Sequence, residues 1–204
     1  MLVRDGVSVD GPASFVDLGS GAGLPGLVLA SIWKRSRVLL LDSNKRKALF
    51  LEGVVRECGW SGRVSVEGSR AETAGREPHF RAKFDLVVAR GFGPPPVTAE
   101  CGAPFLRCGG ILVVSEPPAE DDHMATPPSS RSARGLEEGS SPQAVADVQR
   151  WPSAPLRLVG LEPISAWRGR FGYQVLRQVE LCPDRLPRRV GIPAKRPLYS
   201  VGVC

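Results

Sequence analysis

A glycine-rich stretch near the beginning of the chain has the spacing of a nucleotide-binding loop. Residues 17–26 read DLGSGAGLPG, and the GAGLPG part fits G-x-G-x-x-G, the pattern of loops that bind redox dinucleotides. Read from Asp17, the same stretch gives D-x-G-x-G-x-G, the pattern of loops that bind S-adenosylmethionine. Gly19, Gly21 and Gly23 permit a tight turn and a close approach of the backbone to a ligand. The stretch therefore predicts a cofactor site and leaves two classes of cofactor open.

Asp17 favours the methyl donor over the dinucleotide. Dinucleotide loops bind a pyrophosphate with backbone amides at a helix N-terminus, and a carboxylate directly before the loop would repel that anion. The same carboxylate is compatible with a donor that carries a sulfonium and an ammonium group. Asp42 ends the next apolar run, where an acid can accept hydrogen bonds from the ribose hydroxyls of either cofactor or cap the following helix.

Two further segments are placed to complete a site. The sequence GSRAE, residues 68–72, follows a third apolar run and would flank an adenine, although Glu72 could equally be a solvated acid in the first turn of a helix. Arg90 ends a fourth run, in VVARGFG, where the reacting group is expected. Arginine stays protonated and is a poor general base, so either the reaction needs no base or the chain is not an enzyme. The N7 atom of guanine suits a reaction without a base, because it carries a lone pair and no proton.

The positive charge of the chain is concentrated at its end. The net charge is +6, and the residues from Arg168 onward hold eight of the 27 basic and two of the 21 acidic residues, so the whole excess lies there. Residues 184–199 read DRLPRRVGIPAKRPLY, and we call this segment the strap. Its prolines predict an extended, pre-ordered loop rather than a helix. We predict RNA phosphate contacts by Arg185, Arg188, Arg189, Lys195 and Arg196; the alternative is a solvated basic tail.

Composition limits the remaining possibilities. The 204 residues suffice for one well-buried domain. There is no apolar run of about 20 residues and no secretory leader at the start, so we expect a cytoplasmic protein without a membrane partner. The five cysteines are odd in number and none forms a C-x-x-C pair, and the two histidines lack ligand spacing. We therefore expect no disulfide framework and no metal.

Apolar runs alternate with helical patterns along the first part of the chain. We predict strands over residues 14–18, 37–42, 63–68, 83–90 and 109–116, all continuously apolar as in parallel sheets covered on both faces. A helix is predicted over 43–58, with Ser43 as its N-cap and Leu49, Phe50, Val54 and Val55 as its apolar positions. Two closing strands, 156–167 and 170–181, have no helix between them and predict an antiparallel hairpin.

This arrangement gives an α/β fold class and three segments. Residues 1–116 form the expected cofactor-binding core, residues 117–150 a disordered insertion rich in Pro, Ser and Gly, and residues 151–204 the closing hairpin with the basic strap. A Rossmann-like sheet of five parallel strands closed by a hairpin is the usual build of class I S-adenosylmethionine-dependent methyltransferases. The hairpin thus favours a methyltransferase over a nicotinamide dehydrogenase, by analogy of fold.

Five motifs together resemble the bacterial small-subunit (16S) ribosomal RNA guanine-N7 methyltransferase family, also called glucose-inhibited division protein B. They are DLGSGAGLPG, LLDSNKRKALFLEGVVRE, GSRAE, FDLVVAR and PRRVGIPAKRPL, and the resemblance covers about residues 15–116 and 151–198. It implies S-adenosylmethionine as the donor, and small-subunit ribosomal RNA or the 30S subunit as the partner. It also implies that Arg90 lies at the active site. With the loop residues, the predicted cofactor contacts are Asp17, Gly19, Gly21, Gly23, Leu24, Asp42, Ala71, Glu72 and Arg90.

The chain departs from that resemblance in a few places. Family members usually have a helical segment before the first strand, an alanine where this chain has Gly91, and a lysine near the position of Glu116. We expect Glu116 to disfavour a nearby phosphate. The departures keep two alternatives open: a non-catalytic RNA-binding relative, and a methyltransferase for another RNA or a small molecule.

Overall fold

The structure is built on one seven-stranded sheet with the order β3-β2-β1-β4-β5-β7-β6. It is a computed structural model that describes residues 10–117, 150–167 and 172–200. The first five strands are parallel, while β7 runs antiparallel to both β5 and β6. The strands are β1 Ser14–Leu18, β2 Arg37–Leu41, β3 Val64–Glu67, β4 Phe84–Ala89, β5 Leu106–Glu116, β6 Leu161–Trp167 and β7 Gly172–Gln178. The predicted fold class, a parallel sheet with a closing hairpin, is confirmed.

The continuously apolar strands place side chains in two cores, one on each face of the sheet. In β1, Phe15 points into the core beneath the first two helices, whereas Val16 and Leu18 point into the core on the opposite face. All five residues of this strand are buried. This is why the apolar runs in the sequence do not alternate with polar residues.

Short helices cover the two faces. They are α1 Gly26–Ile32, α2 Lys45–Glu57, α3 Ala71–Ala74, α4 Pro95–Gly102, α5 Ser153–Leu156 and α6 Ile192–Lys195, with single 3₁₀ turns at Ala103–Phe105 and Arg157–Val159. Within the described ranges, none of these helices has the length and apolar character needed to cross a membrane. The same ranges contain no group of three or more His, Cys, Asp or Glu side chains that could hold a metal ion.

Two expectations for α2 were wrong. Asn44, not Ser43, caps the helix, because its side-chain oxygen accepts hydrogen bonds from the first helical N–H groups. The buried stripe consists of Ala48, Leu51 and Val55. Leu49 and Phe50 were predicted to face the core but are 65% and 55% exposed. The i, i+3, i+7 spacing of the buried stripe leaves no place for them on the inner face.

The closing hairpin is shorter than predicted. Residues before Gly160 belong to α5 and a 3₁₀ turn, so β6 starts at Leu161 rather than at residue 156. Gly160 ends the helical segment in the left-handed region, with a φ of 76°. Residues 118–149 of the expected insertion lie outside the described residues, and the predicted division into segments stays a prediction.

The strap is not the fully extended loop that its prolines predicted. Gly191 takes a φ of 80°, and the next residues form the single turn of α6 with Pro193 at its start. Proline is acceptable there because the first helical N–H groups have no partner within the helix. The prolines therefore limit α6 to one turn instead of preventing it.

Candidate functional site

The glycine-rich loop follows β1 at the carboxyl edge of the sheet, where β1 pairs with β2 on one side and β4 on the other. Ligands of open α/β sheets bind at such a switch point. The N–H groups of Gly19 and Ser20 donate to the carbonyl of Leu41 at 2.9 and 3.0 Å, which fastens the loop to the end of β2. Gly19, Gly21 and Gly23 have φ values of 75°, 58° and 94°, a region that glycine adopts without strain.

Asp42 connects this loop to the start of α2. Its Oδ2 accepts a hydrogen bond from the N–H of Gly21 at 2.8 Å, and its Oδ1 accepts one from the N–H of Asn44 at 2.8 Å. The residue is 9% exposed and lines a cavity at the carboxyl edge. Each carboxylate oxygen can accept a further bond, so Asp42 can hold the loop and still accept from a ligand hydroxyl.

Asp17 lies beneath the loop. Its Oδ2 accepts a hydrogen bond from the N–H of Gly26 at 2.9 Å, which ties the end of β1 to the start of α1. Its Oδ1 is buried and has no hydrogen-bond partner among the described residues. Burial raises the pKa of Asp17 to about 6, although the hydrogen bonds from Gly26 and Ser20 oppose the shift. Asp17 therefore supports the loop from beneath, and it is 1% exposed.

A cavity of about 420 Å³ opens between the glycine loop, the β3–α3 connection and the turn after β4. This is within the range of roughly 300–1,000 Å³ that is typical of ligand pockets. The predicted cofactor residues that line it are Gly19, Asp42, Ala71 and Glu72. Other predicted cofactor residues of the loop region are not part of this lining: Asp17, Gly21, Gly23 and Leu24. Of these, Leu24 is 47% exposed.

Glu72 holds the strap against this cavity. The residue is 3% exposed, and its Oε1 accepts hydrogen bonds from the N–H of Gly191 at 2.9 Å and from Arg70 at 3.2 Å. Burial alone would raise the pKa of Glu72, but the hydrogen bonds from Gly191, from its own backbone and from Arg70 outweigh it and lower the pKa. Glu72 is therefore a buried anion rather than the solvated acid of the alternative interpretation.

A second cavity, of about 340 Å³, lies on the other side of the turn after β4. The two cavities share the turn residues 91–93. Arg90, Phe92, Arg150 and Trp151 contribute to the second cavity, and Arg90 is exposed there rather than lining the first. Gly91 has a φ of 62°, so glycine suits this turn.

The charge of Glu116 is balanced inside the protein. Its carboxylate accepts hydrogen bonds from Nε of Arg150 and from Nε1 of Trp151, both at 2.7 Å. Glu116 was expected to repel a phosphate, but this ion pair neutralises it. The hydroxyl of Tyr199, at the end of the strap, also donates to the carbonyl of Arg150 at 3.3 Å. Arg150 is therefore fixed at the end of β5 through both its side chain and its backbone.

The strap residues fall into two groups. Arg185, Arg189, Lys195 and Arg196 are exposed. Arg188 differs from its prediction, because its guanidinium donates to both carboxylate oxygens of Glu100 at 2.9 and 2.6 Å. Glu100 is 0% exposed. The guanidinium of Arg188 therefore has a partner within the fold and is 29% exposed, and its contact with RNA stays a prediction.

The first cavity and the loop behind it have the chemistry that S-adenosylmethionine requires. Asp42 offers carboxylate oxygens to a ribose. Ser69 lines the cavity, and its hydroxyl is buried without a hydrogen-bond partner in the described residues. An unsatisfied buried polar atom in a cavity lining is typical of a ligand-binding position.

Sequence reasoning missed Glu100, Phe92, Arg150 and Trp151. One signal for Glu100 was present, since it is the only charged residue between residues 91 and 106. An acid within an apolar helix is rarely buried without a cationic partner. The sequence carried no such signal for Phe92, Arg150 or Trp151. Arg150 and Trp151 follow the insertion, and only the folded chain brings them to Glu116 at the end of β5.

Several solved structures with this fold are methyltransferases. A SAM-dependent methyltransferase from Aquifex aeolicus aligns with 88% of this chain and 87% of its own, at a TM-score of 0.56 and 16% identity. The structure titled "PigF with SAH" aligns with 87% of this chain and 53% of its own, at a TM-score of 0.55 and 20% identity. At these identities the likeness concerns the fold. The chain thus has the fold that S-adenosylmethionine-dependent methyltransferases share, with an acid-lined cavity at the switch point. More specifically, the chain belongs to the rRNA small subunit methyltransferase G (GidB) family, whose family model matches residues 5–149.

Curated relatives support this assignment along most of the chain. The "Ribosomal RNA small subunit methyltransferase G" of Carboxydothermus hydrogenoformans is 36% identical over 186 residues, which cover 90% of this chain and 70% of the relative. The protein of the same name from Dictyoglomus thermophilum is 31% identical over 183 residues, covering 90% and 68%. The predicted family and the choice of methyl donor over dinucleotide are confirmed.

Proposed function

We propose that this protein transfers a methyl group from S-adenosylmethionine to N7 of a guanine in small-subunit (16S) ribosomal RNA, in the cytoplasm. The observation that carries the proposal is the pair of cavities that meet at the turn after β4. The first presents carboxylates and polar atoms that suit the donor. The second presents Arg90, Arg150 and the aromatic ring of Phe92, which suit an RNA base and its phosphates, next to the buried Trp151.

In this proposal the donor occupies the first cavity. Asp42 accepts from the ribose hydroxyls, and Ala71 and Ser69 lie beside the base, while Asp17 supports the loop from beneath through its bond from Gly26. Gly19, Gly21 and Gly23 let the loop pass close to the ligand. S-adenosylmethionine, when bound, supplies an electrophilic methyl group on a sulfonium.

The second cavity requires no general base. The lone pair of guanine N7 forms the new C–N bond while the S–C bond breaks, and no proton has to leave the base. Arg90 and Arg150 therefore act by binding rather than by proton transfer. We assign them to phosphates of the target strand, because a guanidinium on O6 and N7 would cover the nucleophile and repel the cationic product.

The exposed cations of the strap extend this surface. Arg185, Arg189, Lys195 and Arg196 contact phosphates of the RNA outside the target nucleotide in this proposal. The ion pair between Glu116 and Arg150 removes the reason for expecting a non-catalytic relative on grounds of charge. The substrate is either naked small-subunit RNA or the 30S subunit.

The test is transfer of labelled methyl groups to undermodified 30S subunits and to naked small-subunit RNA. Label should enter one of them as N7-methylguanine, detected by borohydride reduction and aniline cleavage at that nucleotide. Asp42→Asn should lose most activity, while Glu52→Gln, an exposed acid on α2, is the matched control. Label at another atom, or in neither substrate, would contradict the proposal.

A further inference from the structure

The strap is attached to the domain by more contacts than a flexible RNA-binding tail requires. The guanidinium of Arg81 donates to the carbonyl of Leu186 at 2.9 Å, and that of Arg76 donates to the carbonyl of Pro187. These bonds fix the first half of the strap to the segment that follows α3. Leu186 is itself 4% exposed and belongs to the core.

Arg188 adds the strongest of these attachments. Glu100 receives three hydrogen bonds from this one residue: from the backbone N–H at 2.8 Å, from Nε at 2.9 Å and from Nη2 at 2.6 Å. A charge-assisted fork of this kind fixes orientation as well as position. Since Glu100 lies in α4, which borders the cofactor cavity through Val97 and Cys101, the pair sets the distance between the strap and that cavity.

Beyond Arg188 the chain turns into the cofactor cavity itself. The N–H of Gly191 donates to Glu72, one of the acids that line the cavity. The turn of α6 follows at once, and Ala194 lines the same cavity as Gly19 and Asp42. The strap is thus one wall of the space in which the donor is proposed to bind.

We propose that Arg188 is a positioning residue for the cofactor, and that the strap forms a wall of the S-adenosylmethionine pocket in the absence of RNA. Arg188 acts through Glu100, and Gly191 acts through Glu72, to hold Ala194 at the cavity. The strap therefore has two faces: exposed cations for RNA, and a backbone turn for the cofactor. The inference rests on the proposed placement of the cofactor in this cavity and is independent of the RNA target.

The experiment is calorimetric titration of the full chain with S-adenosylhomocysteine, without RNA. Arg188→Ala should raise the dissociation constant by about tenfold or more. Arg157→Ala is the matched control, because Arg157 forms an exposed ion pair with Glu162 and neither residue lines the cavity. This variant should bind S-adenosylhomocysteine with the affinity of the wild type. In turnover assays Arg188→Ala should raise KM for the donor more than it lowers kcat.

A second variant keeps the inference testable if loss of Arg188 unfolds the chain. Ala194→Trp leaves the Arg188–Glu100 ion pair and the Gly191–Glu72 hydrogen bond intact and places a ring in the cavity, so it should weaken cofactor binding at an unchanged melting temperature. Wild-type affinity in Ala194→Trp would overturn the inference, as would wild-type affinity in a folded Arg188→Ala.

Failure of the strap inference and failure of the cofactor placement give different results. Asp42→Asn removes a carboxylate from the opposite wall of the same cavity. If Asp42→Asn binds as tightly as the wild type, the cofactor is not held in this cavity and both ideas fail. If Asp42→Asn loses affinity while Ala194→Trp does not, the placement stands and the strap inference alone is wrong.

Discussion

Arg188 and Glu100 form an internal ion pair in which both carboxylate oxygens of a fully buried acid accept from one guanidinium. The pair joins the strap to α4. Hydrogen bonding to Glu100 raises the pKa of Arg188, so the guanidinium stays charged at any ordinary pH. A basic residue in a basic segment is therefore a structural element here, which changes how substitutions in the strap should be interpreted.

Removing the acid of this pair should destabilise the protein strongly. Glu100→Gln leaves the partly exposed Arg188 guanidinium against a buried amide, and losing charge-assisted hydrogen bonds is worth about 1.5–3 kcal/mol. Urea denaturation at neutral pH measures the change in the free energy of unfolding. Glu162→Gln, which breaks the exposed pair with Arg157, should cost less than about 1 kcal/mol. Equal effects of the two substitutions would contradict the assignment.

Asp17 should make the stability depend on pH in the direction opposite to that of most acids. Burial raises its pKa from 3.8 to about 6, so the folded chain takes up the proton before the unfolded chain does. The free energy of unfolding should therefore rise, relative to that of Asp17→Asn, as the pH is lowered through 6 towards about 4. A shift of this size corresponds to about 3 kcal/mol.

Asp85 is the control for this prediction. Burial would raise its pKa too, but the hydrogen bonds from Arg107 and Ser14 outweigh burial and lower it. Its contribution is present above the unfolded pKa and is lost as the pH falls, so the difference between the wild type and Asp85→Asn should shrink on acidification. The stability difference between wild type and variant should therefore change in opposite directions with pH for Asp17→Asn and Asp85→Asn. A change in the same direction would show that the environment of Asp17 is described incorrectly.

The exposed cations of the strap should govern the salt dependence of RNA binding. Replacing Arg185, Arg189, Lys195 or Arg196 by alanine should weaken binding. Each phosphate that is no longer neutralised should reduce the slope of log K against log salt by about 0.7 on single-stranded RNA. Fluorescence anisotropy at several salt concentrations measures the slope. An unchanged slope in all four variants would indicate that the strap does not bind phosphates.

Arg150 should affect the RNA more than the donor. Its Nε is bound to Glu116, and the residue lines the cavity that also contains Arg90. Loss of a charge-assisted hydrogen bond is worth about 1.5–3 kcal/mol. Arg150→Ala should therefore raise KM for RNA by roughly tenfold or more.

The affinity of Arg150→Ala for S-adenosylhomocysteine should remain near that of the wild type. Arg177→Ala, an exposed arginine on β7, is the control of equal charge. If Arg150→Ala and Arg177→Ala raise the KM for RNA equally, the effect of Arg150 comes from the net charge of the protein and not from a specific contact.

The strands and the acid-lined end of the sheet were predictable from the sequence because they depend on local patterns. Continuous apolar runs specify buried parallel strands, and the acids that end the first two runs specify the carboxyl edge. The phase of α2 was not predictable from hydrophobicity alone, since Leu49 and Phe50 are apolar yet exposed while the small Ala48 is buried. The role of Arg188 was also hidden, because its partner Glu100 is distant in sequence and only the folded chain brings them together.

The lining of the cofactor cavity includes Gly19 and Ala194, so its residues come from nearly the whole length of the described chain. During translation the five parallel strands, which end at Glu116, leave the ribosome before the strap does. A nascent chain whose strap is still in the exit tunnel has a glycine loop but lacks a wall of its pocket. On the proposed role of the strap, the donor pocket is complete only after synthesis has passed residue 194.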